Sequence, residues 1–360
     1  MRTTALNRRF FLKGSIVGGL AAISSARLPG LAAAAEAAAT PAAGVAVKTH
    51  VALTAGDDRA ANAFRGLEQF RDEIARAIGD RSVVIKPNFV DIAHQLAATH
   101  ADCIEGILEF LKSVNKLGNA VIAESAANGP AAEGFDNYGY ARVAKKYGVK
   151  LVDLDQEGHS IVQVFDELDF RPHAVRMAER LMDPKTFIIS AAKLKTHDRV
   201  VATLSLKNIV LGAPLKDAGL RWGPGGRPGA KSDKPICHGS GIRGLNYNLF
   251  ALAQRLHPHL AVIDGYDGMQ GNGPVSGTAV DHRVCVVGSD WLAADRVGVE
   301  LMGINFANVG YLNFCADARL GQADLKQIEV VGEPLSRHVK TYKLADNIQQ
   351  QLIWKKPAGR

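Results

Sequence analysis

Phe187-Ile188-Ile189-Ser190-Ala191-Ala192-Lys193-Leu194-Lys195-Thr196-His197-Asp198 joins an apolar run directly to a dense polar cluster. Its first half is the kind of short, continuous apolar segment that reads as a strand buried on both faces. Comparable runs recur at Val83-Val84-Ile85, Ala120-Val121-Ile122-Ala123, Leu151-Val152, Leu260-Ala261-Val262-Ile263, Val284-Cys285-Val286-Val287 and Ile328-Glu329-Val330-Val331. Helical periodicities fill most of the gaps: Ala60 to Ile78, Ala101 to Leu117, Tyr140 to Tyr147, Ala174 to Leu181, Leu245 to Leu256 and Trp291 to Met302. Several of these stop at Gly or Pro, as helix ends do. The alternation predicts an α/β fold: a mainly parallel layered sheet with helices on both faces, with room for a second, smaller lobe.

Three segments break the rhythm. The Gly/Pro-rich stretch 219–234 suits neither a helix nor a central strand and reads as a long mobile loop. Asp264-Gly265 through Gly271-Asn272-Gly273-Pro274 to Gly277 is dense enough in glycine to curl its backbone round a ligand, with a plain multi-turn loop as the alternative. The polar tail after Pro334 reads as a peripheral helix or loose end.

The beginning of the chain bears on compartment. Asn7-Arg8-Arg9-Phe10-Phe11-Leu12-Lys13 fits the twin-arginine export pattern, with Asn where Ser or Thr is usual. The apolar stretch from Gly14 to about Ile23 falls short of the roughly 20 residues a membrane span needs. An Ala-rich run ending at Ala42-Ala43 supplies a small-residue cleavage zone, an uncleaved anchor being the alternative. Residues 1–43 therefore read as a signal peptide, 44–335 as the α/β domain and 336–360 as its tail. The expected compartment is periplasmic or otherwise exported, with the twin-arginine translocase as partner during export.

Of the whole-chain charge of +7, the signal carries +4 (five Arg and Lys against Glu36), leaving +3 for the mature chain. No basic stripe with interleaved aromatics remains, which argues against nucleic acid as a partner. Nothing after Ala43 reads as a membrane span. The four cysteines, Cys103, Cys237, Cys285 and Cys315, form no C-x-x-C pair, so an iron–sulfur cluster is not expected and no disulfide is dictated. The twin-arginine route carries folded cargo, which leaves a metal or an organic cofactor as an expectation, although cofactor-free passengers use it too.

The polar residues fall at strand ends. Ile85 runs into Lys86-Pro87-Asn88, Ala123 into Glu124-Ser125, Ala192 into Lys193 through Asp198, Ile263 into Asp264, and Val287 into Ser289-Asp290. In a parallel sheet these ends share one rim, where open α/β folds bind ligands. A helix N-cap explains Ser289 and Asp290. It does not explain three lysines and a histidine within 15 positions once Leu206-Lys207-Asn208 is included. Lys195 and Lys207 could hold an anionic ligand as ammonium donors or, if kept neutral by burial, serve as bases. His197 could shuttle a proton or bind a metal, with His238 and Asp264 completing a ligand set. The alternatives are lysines pointing to solvent and a structural histidine. The absence of a nucleophile elbow disfavours serine hydrolase chemistry.

At Val84-Ile85-Lys86-Pro87-Asn88, Ala123-Glu124-Ser125, Lys193-Leu194-Lys195-Thr196-His197, Leu206-Lys207-Asn208, Asp264 to Pro274 and Gly288 to Asp295, the chain resembles the family called domain of unknown function 362. The resemblance spans about residues 80–305. It implies that these segments carry the site but names no reaction; on the reading of the residues themselves, Lys195, His197 and Lys207 are the catalytic candidates, with a ligand or cofactor site built from Lys86, Asn88, Glu124, Lys193, Asn208, Asp264, Gly271 and Gly273. Many members are similar to iron–sulfur proteins through a ferredoxin-like module, whose cysteine run this chain lacks. The layout is also similar to that of nickel-dependent lactate racemases, where lysine and histidine hold a pyridine-derived cofactor. The expectation is an exported enzyme acting on a small anionic ligand. A non-catalytic periplasmic binding protein and a structural partner protein are the alternatives.

Overall fold

The structure, a computed structural model, describes residues 48–222 and 225–357. The twin-arginine segment lies outside the described residues. The strands are β1 (Thr49–Ala55), β2 (Ser82–Lys86), β3 (Ala120–Glu124), β4 (Lys150–Asp153), β5 (His159–Phe165), β6 (Pro172–Ala178), β7 (Thr186–His197), β8 (Val201–Thr203), β9 (Leu260–Asn272), β10 (Ser276–Gly288) and β11 (Ile328–Gly332). Nine form one sheet in the order β11-β1-β10-β9-β7-β2-β3-β4, with β8 added to β7; β5 and β6 make a separate two-stranded ribbon. β4, β3, β2, β7 and β9 run parallel, as do β1 and β11. β10 runs against both its neighbours. The sheet is mainly parallel, and all seven apolar runs of the sequence lie in its strands.

The strands are apolar throughout because both faces are covered. Along β7, Phe187, Ile189 and Ala191 enter one core, while Ile188, Ala192 and Leu194 enter the other. This period-two alternation is how a strand serves two cores. Helices Arg59–Glu68, Arg71–Ile78, Ala101–Ser113, Ala131–Asn137 and Tyr140–Tyr147 cover the first face. Ser205–Val210, Ile242–Ala253, Trp291–Leu301 and Gly310–Asp317 cover the second. From Val47 onward the chain is one unit, with the β5–β6 ribbon folded against it through Val162, Val164, Val175 and Met177.

Four expectations need correcting. Ala60–Ile78 is two helices, broken where Phe70 leaves helical geometry at φ −124° and ψ 25°. The predicted helix Ala174–Leu181 is mostly strand β6, followed by a single turn at Glu179–Met182. Val175 and Met177 are buried at a spacing of two, the strand period, and pair across to β5. The glycine-rich segment from Asp264 is not a ligand-wrapping loop but the long β9–β10 hairpin, paired from Ser276↔Asn272 to Gly288↔Ala261. The tail after Pro334 is docked: Tyr342, Ala345 and Gln351 are buried, and the Gly271 N–H donates to Lys343 O at 2.7 Å. The 219–234 loop has neither helix nor strand among its described residues, and its base is pinned by Asp217 N donating to Lys231 O at 2.8 Å and Lys231 N donating to the Asp217 carboxylate at 3.0 Å.

Ile189 is fully buried between β2 and β9. Ile189→Ala should lower the unfolding free energy by about 2–5 kcal/mol, read from urea denaturation followed by circular dichroism.

Candidate functional site

Three buried carboxylates organise the carboxyl ends of the parallel strands. Glu124 closes β3 with no solvent exposure, accepting from Lys86 Nζ at 2.9 Å, Phe89 N at 3.0 Å and Ser125 N at 2.8 Å. Lys86, at the end of β2, also reaches Asn208 Oδ1 at 3.2 Å and its neighbour Pro87 O at 3.0 Å. Asn208 in turn donates to Lys86 O and Ser190 Oγ, each at 3.0 Å, and accepts from Asn88 Nδ2 at 3.0 Å. Gly212 seals this network: a Cβ there would stand 2.3 Å from Lys86 Nζ and 2.4 Å from Asn208 O. Burial draws the Lys86 amine down, and Glu124 opposes that shift.

Asp264 lies on β9 opposite Lys193 of β7. Its carboxylate meets Lys193 Nζ at 3.7 Å and Arg59 Nε at 3.3 Å, and accepts from Tyr266 N at 3.1 Å and His100 N at 3.3 Å. Burial favours the neutral acid, but Lys193, Arg59 and the two N–H groups outweigh it and hold Asp264 below the usual carboxylate range. The third carboxylate, Asp155, pairs with Lys216 and accepts from Ser125 Oγ at 2.7 Å and Lys216 N at 2.9 Å.

Among the described residues, three further buried lysines have no carboxylate partner. Lys195 donates only to the carbonyls of Ala97 (2.7 Å) and Pro274 (3.4 Å). Lys234 donates to the carbonyls of Pro214 (2.6 Å), Gly212 (3.1 Å) and Leu211 (3.5 Å). Lys207, 7% exposed, has neither a hydrogen bond nor an ion pair among the described residues. Burial, then Lys207 and Lys193, push Lys195 well below the ordinary amine value. Burial alone brings Lys207 down to about 8 against the pull of Asp198; burial, helped by Lys216 and Lys86, brings Lys234 to about 8 against Asp155 and Glu124.

Lys207 sits on a six-residue helix that is set by a distant residue. Buried Asp295 accepts from Ser205 N at 2.7 Å, Ser205 Oγ at 2.6 Å and Leu206 N at 3.1 Å, taking up donors that the helix start leaves free. Desolvation pushes this carboxyl up to about 7. His197, at the end of β7, accepts from Arg199 N at its Nδ1 (3.0 Å) and is held neutral by burial, Lys207 and His238. His238 is drawn down to about 4, by burial first and then by Lys207 and Arg199. The turn after His197 ends at Val201, whose φ of 70° is costly for a β-branched residue. The tail clamps it: Val201 N donates to Gln351 Oε1, and Asn347 Nδ2 donates to Asp198 O, each at 2.7 Å.

The structure thus gathers Lys86, Asn88, Glu124 and Asn208 into one network, and Lys193 and Asp264 into a second. Lys195, His197, Lys207 and His238 form a third group. Lys195 is acted on by Lys207, Lys193 and Lys86, so the three adjoin. Gly271 and Gly273 brace β7 instead of cradling a ligand: Thr196 Oγ1 donates to Gly271 O at 2.8 Å, and a Cβ on Gly273 would stand 2.1 Å from Thr196 O. His197, His238 and Asp264 do not converge as a metal-ligand set. Asp264 is engaged by Lys193 and Arg59, and among the described residues no three His, Cys, Asp or Glu side chains gather for a metal. The four cysteines are free, buried and on separate elements. A cavity of about 540 Å³ opens at the opposite end of the same strands, beside Ser82 and Thr186, away from the lysines.

Sequence reasoning missed Arg59, Lys216, Lys234, Asp155, Asp295 and the tail residues Asn347 and Gln351. Arg59 opens an amphipathic helix and reads as a surface charge there. Lys216 and Lys234 flank a polar loop, where burial has no sequence mark.

The family model described as Domain of unknown function (DUF362) matches residues 83–300, and the chain belongs to that family. The match takes in every residue of the three groups. A thylakoid-associated protein of Synechocystis sp., sll1697, is 22% identical over 245 residues, covering 68% of each chain. No solved structure matches significantly.

Competitive acetylation read by mass spectrometry should find Lys207 half-reactive near pH 8, against about 10.4 for a solvent-exposed lysine. Because its folded value lies below its unfolded one, its contribution to stability is full above pH 10.5 and is lost as pH falls through about 8. A labelling midpoint like that of surface lysines would show that Lys207 is not desolvated.

Proposed function

We propose that this member of the family is an exported enzyme that binds a small anionic molecule at the carboxyl rim of its sheet. One observation carries the reading: Lys207, only 7% exposed, makes no hydrogen bond or ion pair among the described residues, and neighbouring Lys195 meets only carbonyl oxygens. Buried cations are normally paired, and a bound anion would supply the missing charge. The donor set is ammonium-rich, which suits an anionic ligand and repels a metal cation. Lys207 and Lys195 would hold the anionic group, and Lys86 would act through the Glu124–Asn208 network to keep the rim in place.

Acid–base work falls to Lys207 and His197. An amine near pH 8 supplies both protonation states at neutral pH, which is what proton transfer needs. His197 is held neutral by burial and by the cations around it, and would take a proton only once a bound anion offsets those cations. A non-catalytic binding protein would use the same cations without turnover. The Asn7–Lys13 motif supports delivery by the twin-arginine translocase. Among the described residues no helix is long and apolar enough to cross a membrane. The Synechocystis relative is named for its association with the thylakoid.

Titration calorimetry with inorganic phosphate, sulfate and small carboxylates should show saturable binding of at least one anion. Lys207→Met should weaken it about 10- to 100-fold, the ~1.5–3 kcal/mol of a charge-assisted hydrogen bond. Binding that survives both Lys207→Met and Lys195→Met unchanged would end this reading. Replacing Arg8 and Arg9 together by Lys should retain the precursor in the cytoplasm, read by cell fractionation; unchanged export would remove the twin-arginine assignment.

A further inference from the structure

The β5–β6 ribbon, helix Ile242–Ala253 and the C-terminal segment enclose a separate cavity of about 350 Å³, lined by Phe165, Phe170, Tyr247, Phe314 and Trp354 together with Glu167, Arg243 and Lys356. That volume lies within the ~300–1,000 Å³ of small-molecule sites. Its rings form a continuous edge-to-face series. Phe165 stands 5.6 Å from Phe170 and 5.7 Å from Tyr247, which continues through Phe250 to Phe314 and Trp354 at 6.1, 6.2 and 5.4 Å.

Folding alone does not account for the mouth of this cavity. Phe170 is 69% exposed and Tyr247 is 48% exposed. Phe170 also holds a φ of 55°, a left-handed conformation unfavourable for a residue of its kind. An aromatic side chain held in an unfavourable backbone state, with most of its ring in water, gains little from the protein's own core.

The cavity carries two cations, Arg243 and Lys356, against one carboxylate, Glu167. Glu167 is committed to the helix start, where it accepts from Gly244 N. Neither Arg243 nor Lys356 has a carboxylate partner among the described residues. Among the described residues the Arg243 guanidinium makes one long bond, 3.4 Å to Pro357 O, and its buried Nε has no partner. A guanidinium with unused donors beside a wall of ring edges and faces matches a flat ring carrying an anionic group.

We infer that this cavity binds a planar aromatic carboxylate, independently of the lysine rim. The ring lies against Phe170, Tyr247 and Trp354, and the carboxylate takes the unused donors of Arg243 with Lys356 at the edge. Titration calorimetry of the full mature chain with 2-naphthoate tests this. Saturable binding is expected, with 2-naphthamide, which lacks the charge, and cyclohexanecarboxylate, which lacks the flat ring, each about tenfold weaker. Arg243→Gln and Phe170→Ala should each weaken 2-naphthoate to a similar degree, and Phe170, being exposed, can be removed without emptying the core. Lys207→Met should leave this binding unchanged while weakening anions at the rim, so either site can fail without the other. Absence of saturable binding, equal affinity for 2-naphthamide, or indifference to both cavity variants would overturn the assignment. Recruitment to vesicles of anionic lipid that depends on Phe170 while 2-naphthoate does not bind would overturn it as well, making the face a membrane contact.

Discussion

Among the described residues six lysines are buried at or near the carboxyl ends of the strands, and only three of them reach a carboxylate there. An ammonium taken out of water without a counter-charge costs several kcal/mol or surrenders its proton. The rest of the rim follows from how that cost is met. Glu124, Asp264 and Asp155 each neutralise one lysine and then use their remaining oxygen capacity on backbone N–H groups of the following turns. Each carboxylate therefore also fixes the loop beside it. Lys195 and Lys234 are solvated by carbonyls in place of water. Lys207 is left without either, which is why its environment, and not its position in the sequence, singles it out.

The supporting structure is arranged to keep those groups in register. Parallel pairing of β2, β3, β7 and β9 brings Lys86, Glu124, Lys193 and Asp264 to one end of the sheet, although the chain visits them over nearly 180 residues. Asn208 links two of the strands by bonding the main chain of β2 and Ser190 of β7. Asp295, on the helix Trp291–Leu301 in the same layer, holds the short helix that presents Lys207 and Asn208 together. A six-residue helix has little stability of its own. Its placement is a tertiary effect.

Much of this was legible in the sequence for a simple reason: strands buried on both faces cannot hide polar residues, so the ionisable groups stand out where the apolar runs stop. Lys86, Glu124, Lys193 and Asp264 were visible in that way. Ala174–Leu181 misled because Ala, Val, Met and Leu fit a helix as readily as a ribbon, and the deciding partner, the β-branched run Ile161-Val162-Gln163-Val164-Phe165 of β5, is not among the runs read as strands. The glycines after Asp264 suggested a loop, but they serve close backbone contact: Gly273 lets the hairpin tip press on Thr196. Arg59, Lys216 and Lys234 were invisible because a lysine or arginine in a polar stretch looks the same whether solvated or sealed. Only the three-dimensional pairing of Arg59 with Asp264, and Lys216 with Asp155, separates the two.

The clamp on the turn after His197 has a bearing on how the molecule is made. Gln351 lies 150 residues beyond Val201, the amide it secures, and Asn347 lies 149 beyond Asp198. Until that stretch has left the ribosome, a chain that already holds every strand of its sheet lacks the means to lock its imidazole in place. Contacts of such long sequence separation form late and slowly. A transporter that threads an extended polypeptide would leave this last closure to the far side of the membrane. One that accepts only finished folds would have it completed, and open to inspection, before departure.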